Sequence, residues 1–508
     1  MKTNVPSFQI GNQNLSLQDL QCGAVAFGGF GTGKTVSFVL PLIRQCFRFL
    51  NDPNPESNFA KCGALIVDTH GHLTQSIITE LHLAKRDLSD LLILDPQYST
   101  YQYNPIDSEL TAAQNADKLT AAISITDHAY FTHNPYWIPQ LNQILRASLL
   151  VLELQTPKHL LTLKSISTFL ETEENTLGTV AAARETLTQK RKHNHIDQDS
   201  YNAYDEALHA IHNLWITLTP QVTAGIKAII LNIAGPILSN PGLTNTFCAP
   251  TNIDFAKIIN DGQILVFQAP DIDTQTQRFI ARCLKSDFHR WLRKRNGSVA
   301  HELKLNTTRS ILYVADNFHE TITSGTEGDS GFLATTRSTR TIPILTTESI
   351  SSLHNALGNT DSANTLIKNI GTHVFLKTYD VPTQNLVANL SQPHPKRWDT
   401  PHTQITDGKI VNVPLSQLPG PTGLSKFLSK LFQTSTIDYS IVQSDNFAVE
   451  PEDLADLKII TAEKSKSGPF YSEAYIYSYS TEVDSARISK ADLLHLYYGH
   501  DIMTLGNR

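Results

Sequence analysis

Eight residues, Gly28-Gly29-Phe30-Gly31-Thr32-Gly33-Lys34-Thr35, constrain what this chain can fold into more than any other stretch. They fit G-x-x-x-x-G-K-[ST], the phosphate-binding loop. Its glycines let the backbone curl, so that successive N–H groups converge on a polyphosphate. Lys34 is placed to reach the β- and γ-phosphate oxygens, and the Thr35 hydroxyl to ligate Mg²⁺. Such a loop works between a strand and a helix. Residues 22–27 (Cys-Gly-Ala-Val-Ala-Phe) read as a short buried strand, and Thr35 to Leu40 as the start of a helix. The N-terminal dipole of that helix favours the same anion. A Gly-rich turn that binds nothing would not need this context, so ATP and Mg²⁺ are the expected cofactors.

The rest of the chain alternates in the way such a loop demands. Residues 63–68 (Gly-Ala-Leu-Ile-Val-Asp) and 91–96 (Leu-Leu-Ile-Leu-Asp-Pro) are apolar runs that end in Asp. Residues 263–267, 310–316, 341–347 and 372–377 are similar runs. Continuous apolar runs bounded by turn residues suit strands buried on both faces of a parallel sheet. Between them, residues 76–85 and 274–293 carry helical periodicity, giving the strand–helix alternation of an α/β domain. The P-loop helix is expected to run to about Leu50 with a kink at Pro41. From about 108 to 245 strand signals nearly vanish, and Leu141, Ile144, Leu145 and Leu149 recur at helical spacing. This block reads as an all-helical insertion. Leu424 to Phe432 reads as a last helix, inside a tail rich in Tyr.

Composition bounds the partners. The chain has 508 residues and a formal net charge of −7, which excludes a generally basic nucleic-acid coat but not a local basic channel. Two basic stretches stand out, Gln189-Lys190-Arg191-Lys192-His193 and Arg290-Trp291-Leu292-Arg293-Lys294-Arg295. Each reads either as a solvated or helix-ending cation cluster or as a nucleic-acid contact, with Trp291 stacking on a base. The five cysteines are scattered and form no C-x-x-C, so no disulfide framework or zinc site is expected. Met1 to Ser7 has no apolar run of a signal peptide, and no run of about 18 apolar residues occurs anywhere. The expectation is a cytoplasmic protein, peripheral at an inner membrane only if partners hold it there.

A nucleotide-hydrolysing site needs more than a phosphate loop. It needs a strand-end acid for Mg²⁺, a group that polarises water, and often an arginine from a neighbouring subunit. Asp316, after an apolar run, is the best Mg²⁺ acid, with Asp68 and Asp95 as weaker candidates that read equally as turn residues. The position after Asp316, where Glu would serve as base, is Asn317, and Glu320 would arrive only if the chain turned helical. At the end of the next run, Glu348 stands where a polar sensor is expected. Either Glu348 polarises water while Asn317 orients it, or the site binds ATP and scarcely hydrolyses it. Arg337 and Arg340 precede that run and are candidates to reach a neighbour's nucleotide, or are ordinary surface cations.

Taken together these stretches resemble the coupling-protein ATPases of bacterial type IV secretion and conjugation systems, the TraD/TraG type. The matches keep their order along the chain: Gly28 to Thr35, Ala64 to Gly71, Leu94-Asp95-Pro96, Tyr103 to Asp107, Asp261 to Leu265, Val314-Ala315-Asp316-Asn317-Phe318, Arg337, Thr347-Glu348-Ser349, Asn369 and Asp380. They cover roughly residues 20–395. The sequence departs from the family pattern at Asn317, at Glu348, and in having no apolar stretch before the phosphate loop. The resemblance implies a RecA-like α/β P-loop NTPase domain with a mainly parallel central sheet and an inserted all-α domain. In that scheme residues 1–107 and 246–395 build the nucleotide-binding domain, 108–245 the insertion, and 396–508 a C-terminal extension. It also implies a homo-hexameric motor that moves single-stranded DNA, or a relaxase–DNA complex, to secretion-channel proteins. The competing expectations are an ATP-binding adaptor that does not turn over, and a soluble RecA-like helicase or defence ATPase.

Overall fold

A computed structural model describes residues 7–390, apart from 12, 98–99, 127–136, 217–219 and 326–327, and beyond 390 only the backbone of separate strands. The chain opens with a small antiparallel hairpin, β1 (Phe8–Ile10) and β2 (Gln13–Leu15). The apolar runs then form seven strands: β3 (Ala24–Phe27), β4 (Gly63–Asp68), β5 (Leu91–Leu94), β6 (Ile264–Gln268), β7 (Ile311–Ala315), β8 (Thr341–Thr347) and β9 (Thr372–Phe375). They make one sheet in the order β9-β3-β8-β7-β4-β6-β5, every neighbouring pair parallel. At the β9 edge the strand Phe470–Tyr479 adds antiparallel, followed by Ile488–Tyr497, so part of the Tyr-rich tail is extended chain. The helix expected at Leu424 to Phe432 lies outside the described residues.

Alternation along each strand sends side chains to two separate cores. Val25, Phe27, Leu65 and Val67 face one cluster, while Ala24, Ala26, Ala64 and Ile66 face the other. The second cluster is closed by the helices Leu40–Phe49 and Thr74–Leu83 and by the hairpin. The first is closed by the long helix Thr274–Arg293 and by the helices that lie between β5 and β6. Among the described residues that stretch holds helices joined by loops and no strand, from Ala112–Thr126 to Phe255–Asp261. Its buried residues, among them Leu119, Ile144, Leu145 and Ile230, belong to the same cluster as the sheet face. Pro241–Phe247 carries residue 245, and Phe255–Asp261 leads directly into β6. No single helix among the described residues is long and apolar enough to cross a membrane; the bent pair Ala224–Ser239 and Pro241–Phe247, at 111°, passes on composition only.

The helix after the phosphate loop meets Pro41 with a change of helix type. Its first turn, Thr35–Val39, is π-helical, with the Leu40 N–H bonded to the Thr35 carbonyl, and the α-helix Leu40–Phe49 begins with Pro41 in its first turn. A proline ring inside an α-helix strikes the carbonyl four residues back and has no N–H to bond it. The wider π turn absorbs both problems before the α-helix starts.

Candidate nucleotide site

The phosphate loop leaves the carboxyl end of β3. Gly33 adopts φ 88°, open to glycine at little cost, and a Cβ on Gly28 would fall 2.6 Å from Thr32 Oγ1 and 2.9 Å from Leu376 Cβ. The loop is also tied to its flanks. The Gly28 N–H donates to the Thr347 carbonyl at 3.1 Å and the Gly29 N–H to the Lys377 carbonyl at 3.0 Å. Lys34 is buried, and its ammonium donates to the Gly28 and Gly29 carbonyls at 2.7 and 3.0 Å. Burial lowers its pKa, against the opposing charges of Asp316 and Glu348. Thr32 is buried against the Gly29 carbonyl, while Phe30 stands 98% exposed at the tip beside Gly31.

Across the sheet, β7 delivers Asp316 to this loop. The Thr35 hydroxyl donates to Asp316 Oδ2 at 2.7 Å, and the Thr346 hydroxyl donates to Asp316 Oδ1. One carboxylate thus bridges the loop and the end of β8. The other two strand-end acids serve their own turns. Asp68 accepts the Leu73 N–H at 2.6 Å, with burial raising its pKa, and Asp95 accepts the Gln97 N–H at 2.8 Å.

Asn317 follows with a left-handed backbone, φ 55°, and its N–H donates to Thr346 Oγ1 at 2.9 Å. A 3-10 turn, Phe318–Glu320, comes next. This is the turn that could have brought Glu320 to the phosphate, yet its carboxylate goes elsewhere. Glu320 pairs with Arg278 at 2.8 Å and His70 at 3.4 Å, and accepts from Thr69. The same turn brings in a residue the sequence reading passed over. His319 Nδ1 lies 3.4 Å from Thr347 Oγ1, and burial lowers its pKa although Glu320 and Glu348 oppose the shift. Glu348 itself is exposed, next after Thr347 at the end of β8.

The two arginines before β8 differ. Arg340 is held by the Asn58 side chain at 2.9 Å and sits at φ 51°. Arg337 is exposed, close enough to Cys22 for its charge to oppose the burial that raises the thiol pKa. Cys22 precedes β3 and Arg337 precedes β8, so both lie at the amino end of the sheet. The phosphate loop is at the other end, roughly 20 Å away along the seven residues of β8. The basic end of Thr274–Arg293 is occupied from within. Arg290 bonds Asp107, Lys294 bonds Glu109 at 3.0 Å and lies over the Trp291 ring, and Arg295 is buried among the carbonyls of Asn306, Arg309 and Thr339. These contacts fit the helix-ending alternative. Lys190, Arg191 and Lys192 form the last turn of the helix Glu173–Lys192, where they complement its dipole.

No family model and no curated protein sequence matches the chain. Solved structures do. The chain is similar to the plasmid coupling protein TrwB in complex with the ATP analogue ADPNP, with TM-score 0.53 and 13% identity over 95% of this chain and 91% of that one. It is similar to TrwB in complex with ADP and Mg²⁺, with TM-score 0.54 and 12% identity over the same shares, 95% and 91%. The unbound bacterial conjugative coupling protein TrwBΔN70 gives TM-score 0.51 and 13% identity over 77% of each chain. A likeness at this identity is one of architecture. The chain has the RecA-like α/β fold seen in TrwB, with its phosphate loop at the carboxyl end of β3.

Proposed function

We propose that this chain is an ATP-binding motor of the type IV secretion and conjugation class, which engages DNA or a protein–DNA substrate and passes it to a secretion channel. The observation that carries this is the Thr35–Asp316 hydrogen bond, set on a sheet with the fold of a conjugative coupling protein. Thr35 and Asp316 offer hard oxygen donors 2.7 Å apart, the donor chemistry Mg²⁺ takes. With Mg²⁺ bound there, the nucleotide's β- and γ-phosphate charge would be neutralised. The backbone of Gly28 to Gly33 would cradle the phosphates and Lys34 would pair with their outer oxygens. In this reading Glu348, exposed just after β8, would polarise the water and Asn317 would orient it. Arg337, exposed at the far end of β8, fits a role at a neighbour's nucleotide, and a head-to-tail ring of six closes such contacts. Single-stranded DNA, a relaxase–DNA complex and channel proteins are the partners this reading carries, with any membrane contact made through them.

One observation favours a second reading, an ATP-binding adaptor: the usual base position holds Asn317, whose amide cannot take a proton. A steady-state ATPase assay with and without single-stranded DNA separates the two. DNA-stimulated turnover in the wild type, lost in both Lys34→Ala and Glu348→Gln, supports the motor. Binding of ATP without turnover supports the adaptor. A mass measurement with and without ATP and DNA tests the ring.

A further inference from the structure

Thr35 and Asp316 meet on the β8–β7 side of the phosphate loop. If they hold Mg²⁺ as proposed, the β- and γ-phosphates would end on that side. The nucleoside would then leave the loop on its other flank, toward β9, the remaining neighbour of β3. The segment that follows β9 runs along that flank. The Leu376 N–H bonds the Phe27 carbonyl at 2.7 Å, the Lys377 carbonyl accepts the Gly29 N–H at 3.0 Å, and Leu376 Cβ is what a side chain on Gly28 would strike.

Three residues further on, Tyr379 stands 69% exposed, beside Val381 at 60%. A large aromatic left in water on a mobile loop would need no explanation, but this backbone is held. The Asp380 N–H donates to Thr378 Oγ1 at 3.2 Å, and the Gln384 amide donates to the Thr378 carbonyl at 3.2 Å. The Asp380 carboxylate accepts the Thr383 N–H at 3.0 Å and the Thr383 hydroxyl at 2.6 Å. The Thr383 hydroxyl oxygen in turn accepts the Ile350 N–H at 2.9 Å. Lys377 Nζ lies 5.1 Å from the centre of the Tyr379 ring. An exposed aromatic ring on a held backbone, with a cation over one face, leaves its other face open to a flat partner.

We infer that Tyr379 is the platform on which the nucleobase of the bound nucleoside triphosphate stacks, with Lys377 beside it. The inference rests on the nucleotide reading above and assigns the recognition of the base within it. Stacking uses the π face that every base has, so this platform holds adenine and guanine alike. It also gives the nucleoside its own share of the affinity, separate from the grip of Lys34 on the phosphates.

The test is titration calorimetry of the full chain in Mg²⁺ with ATP, GTP and inorganic tripolyphosphate. In the wild type, ATP and GTP bind about tenfold tighter than tripolyphosphate, the range expected for one stacked base. Tyr379→Ala removes that advantage and leaves tripolyphosphate affinity unchanged, and Tyr379→Phe restores it. In Tyr379→Trp, ATP changes the indole fluorescence and tripolyphosphate does not. The inference is overturned if Tyr379→Ala keeps the wild-type ratio of ATP to tripolyphosphate affinity, or if it weakens both ligands equally. Lys34→Ala keeps the two readings apart: it abolishes binding of both ligands if the nucleotide reading holds, and intact ATP binding in that variant overturns the nucleotide reading itself.

Discussion

Asn317 holds φ 55°, a conformation that Asn tolerates and that puts a Cβ too close to the following carbonyl in most residues. Replacing it with Glu, the residue a catalytic base at this position would require, therefore strains the turn. Asn317→Glu is expected to lose about 1 kcal/mol of stability, whereas Asn317→Gly stays near wild type, as read from urea unfolding midpoints. The letter alone showed that a base was missing at 317; it could not show that the backbone there favours Asn. His319 was illegible for a related reason. The sequence reading weighed a helical turn after Asp316 only for what it would do to Glu320. The turn forms, but Arg278 and His70 hold Glu320, and His319 is the residue it turns toward β8. The strand–loop–helix setting of residues 28–35, by contrast, was legible, because eight letters specify its local backbone chemistry.

The helix Thr274–Arg293 shows how an element can be legible in extent and not in role. Its periodicity and the Asp273 cap, which accepts the Thr276 N–H at 2.9 Å, mark both its face and its start. Two of its cations, Arg282 and Lys285, turn inward. Arg282 reaches the Glu320 and Ala122 carbonyls, and Lys285 bonds Asp329 at 2.5 Å with both side chains out of solvent. Two residues on, Asp287 accepts Lys118 at 2.9 Å and the Tyr103 hydroxyl at 2.6 Å. The helix thus joins the segment after Asp316 to the helices between β5 and β6. Burial pushes the Lys285 ammonium down to about 8, so this pair is costly to break and weakly rewarded for forming. Lys285→Met leaves Asp329 buried and uncompensated, and is expected to cost about 3–5 kcal/mol in urea unfolding. Lys294→Ala, whose partner Glu109 is exposed, is expected to cost under about 1 kcal/mol by the same measurement.

For the whole molecule, strand and helix existence followed from apolar runs, but strand order did not. β8 enters between β3 and β7 by a chain crossing that leaves no local trace in sequence, and that insertion is what joins Asp316, Thr346 and Thr35. The same sheet buries His373 beside the stacked pair Phe27 and Phe375, with Nε2 at 3.1 Å from the Ile367 carbonyl; burial lowers its pKa to about 4. Burial also pushes His289, stacked on Phe332, well below its ordinary value. Both bind a proton more readily when unfolded. Stability conferred by keeping them neutral is therefore full above about pH 6.5 and falls as pH drops toward 4. Thermal melts across that window are expected to show steep destabilisation that His373→Asn reduces. β8 has one further consequence. It carries Glu348 at its carboxyl end, beside its own loop, and follows Arg337 at its amino end, roughly 20 Å away. In the head-to-tail ring proposed above, Glu348 and Arg337 of one subunit would therefore serve different nucleotides. If Arg337 acts in that way, two inactive variants are expected to rescue each other: Lys34→Ala supplies an intact arginine, Arg337→Ala supplies an intact loop. Mixed in equal amounts and allowed to exchange subunits, they are expected to recover about a quarter of wild-type turnover, the share of head-to-tail junctions that pair one intact half with the other.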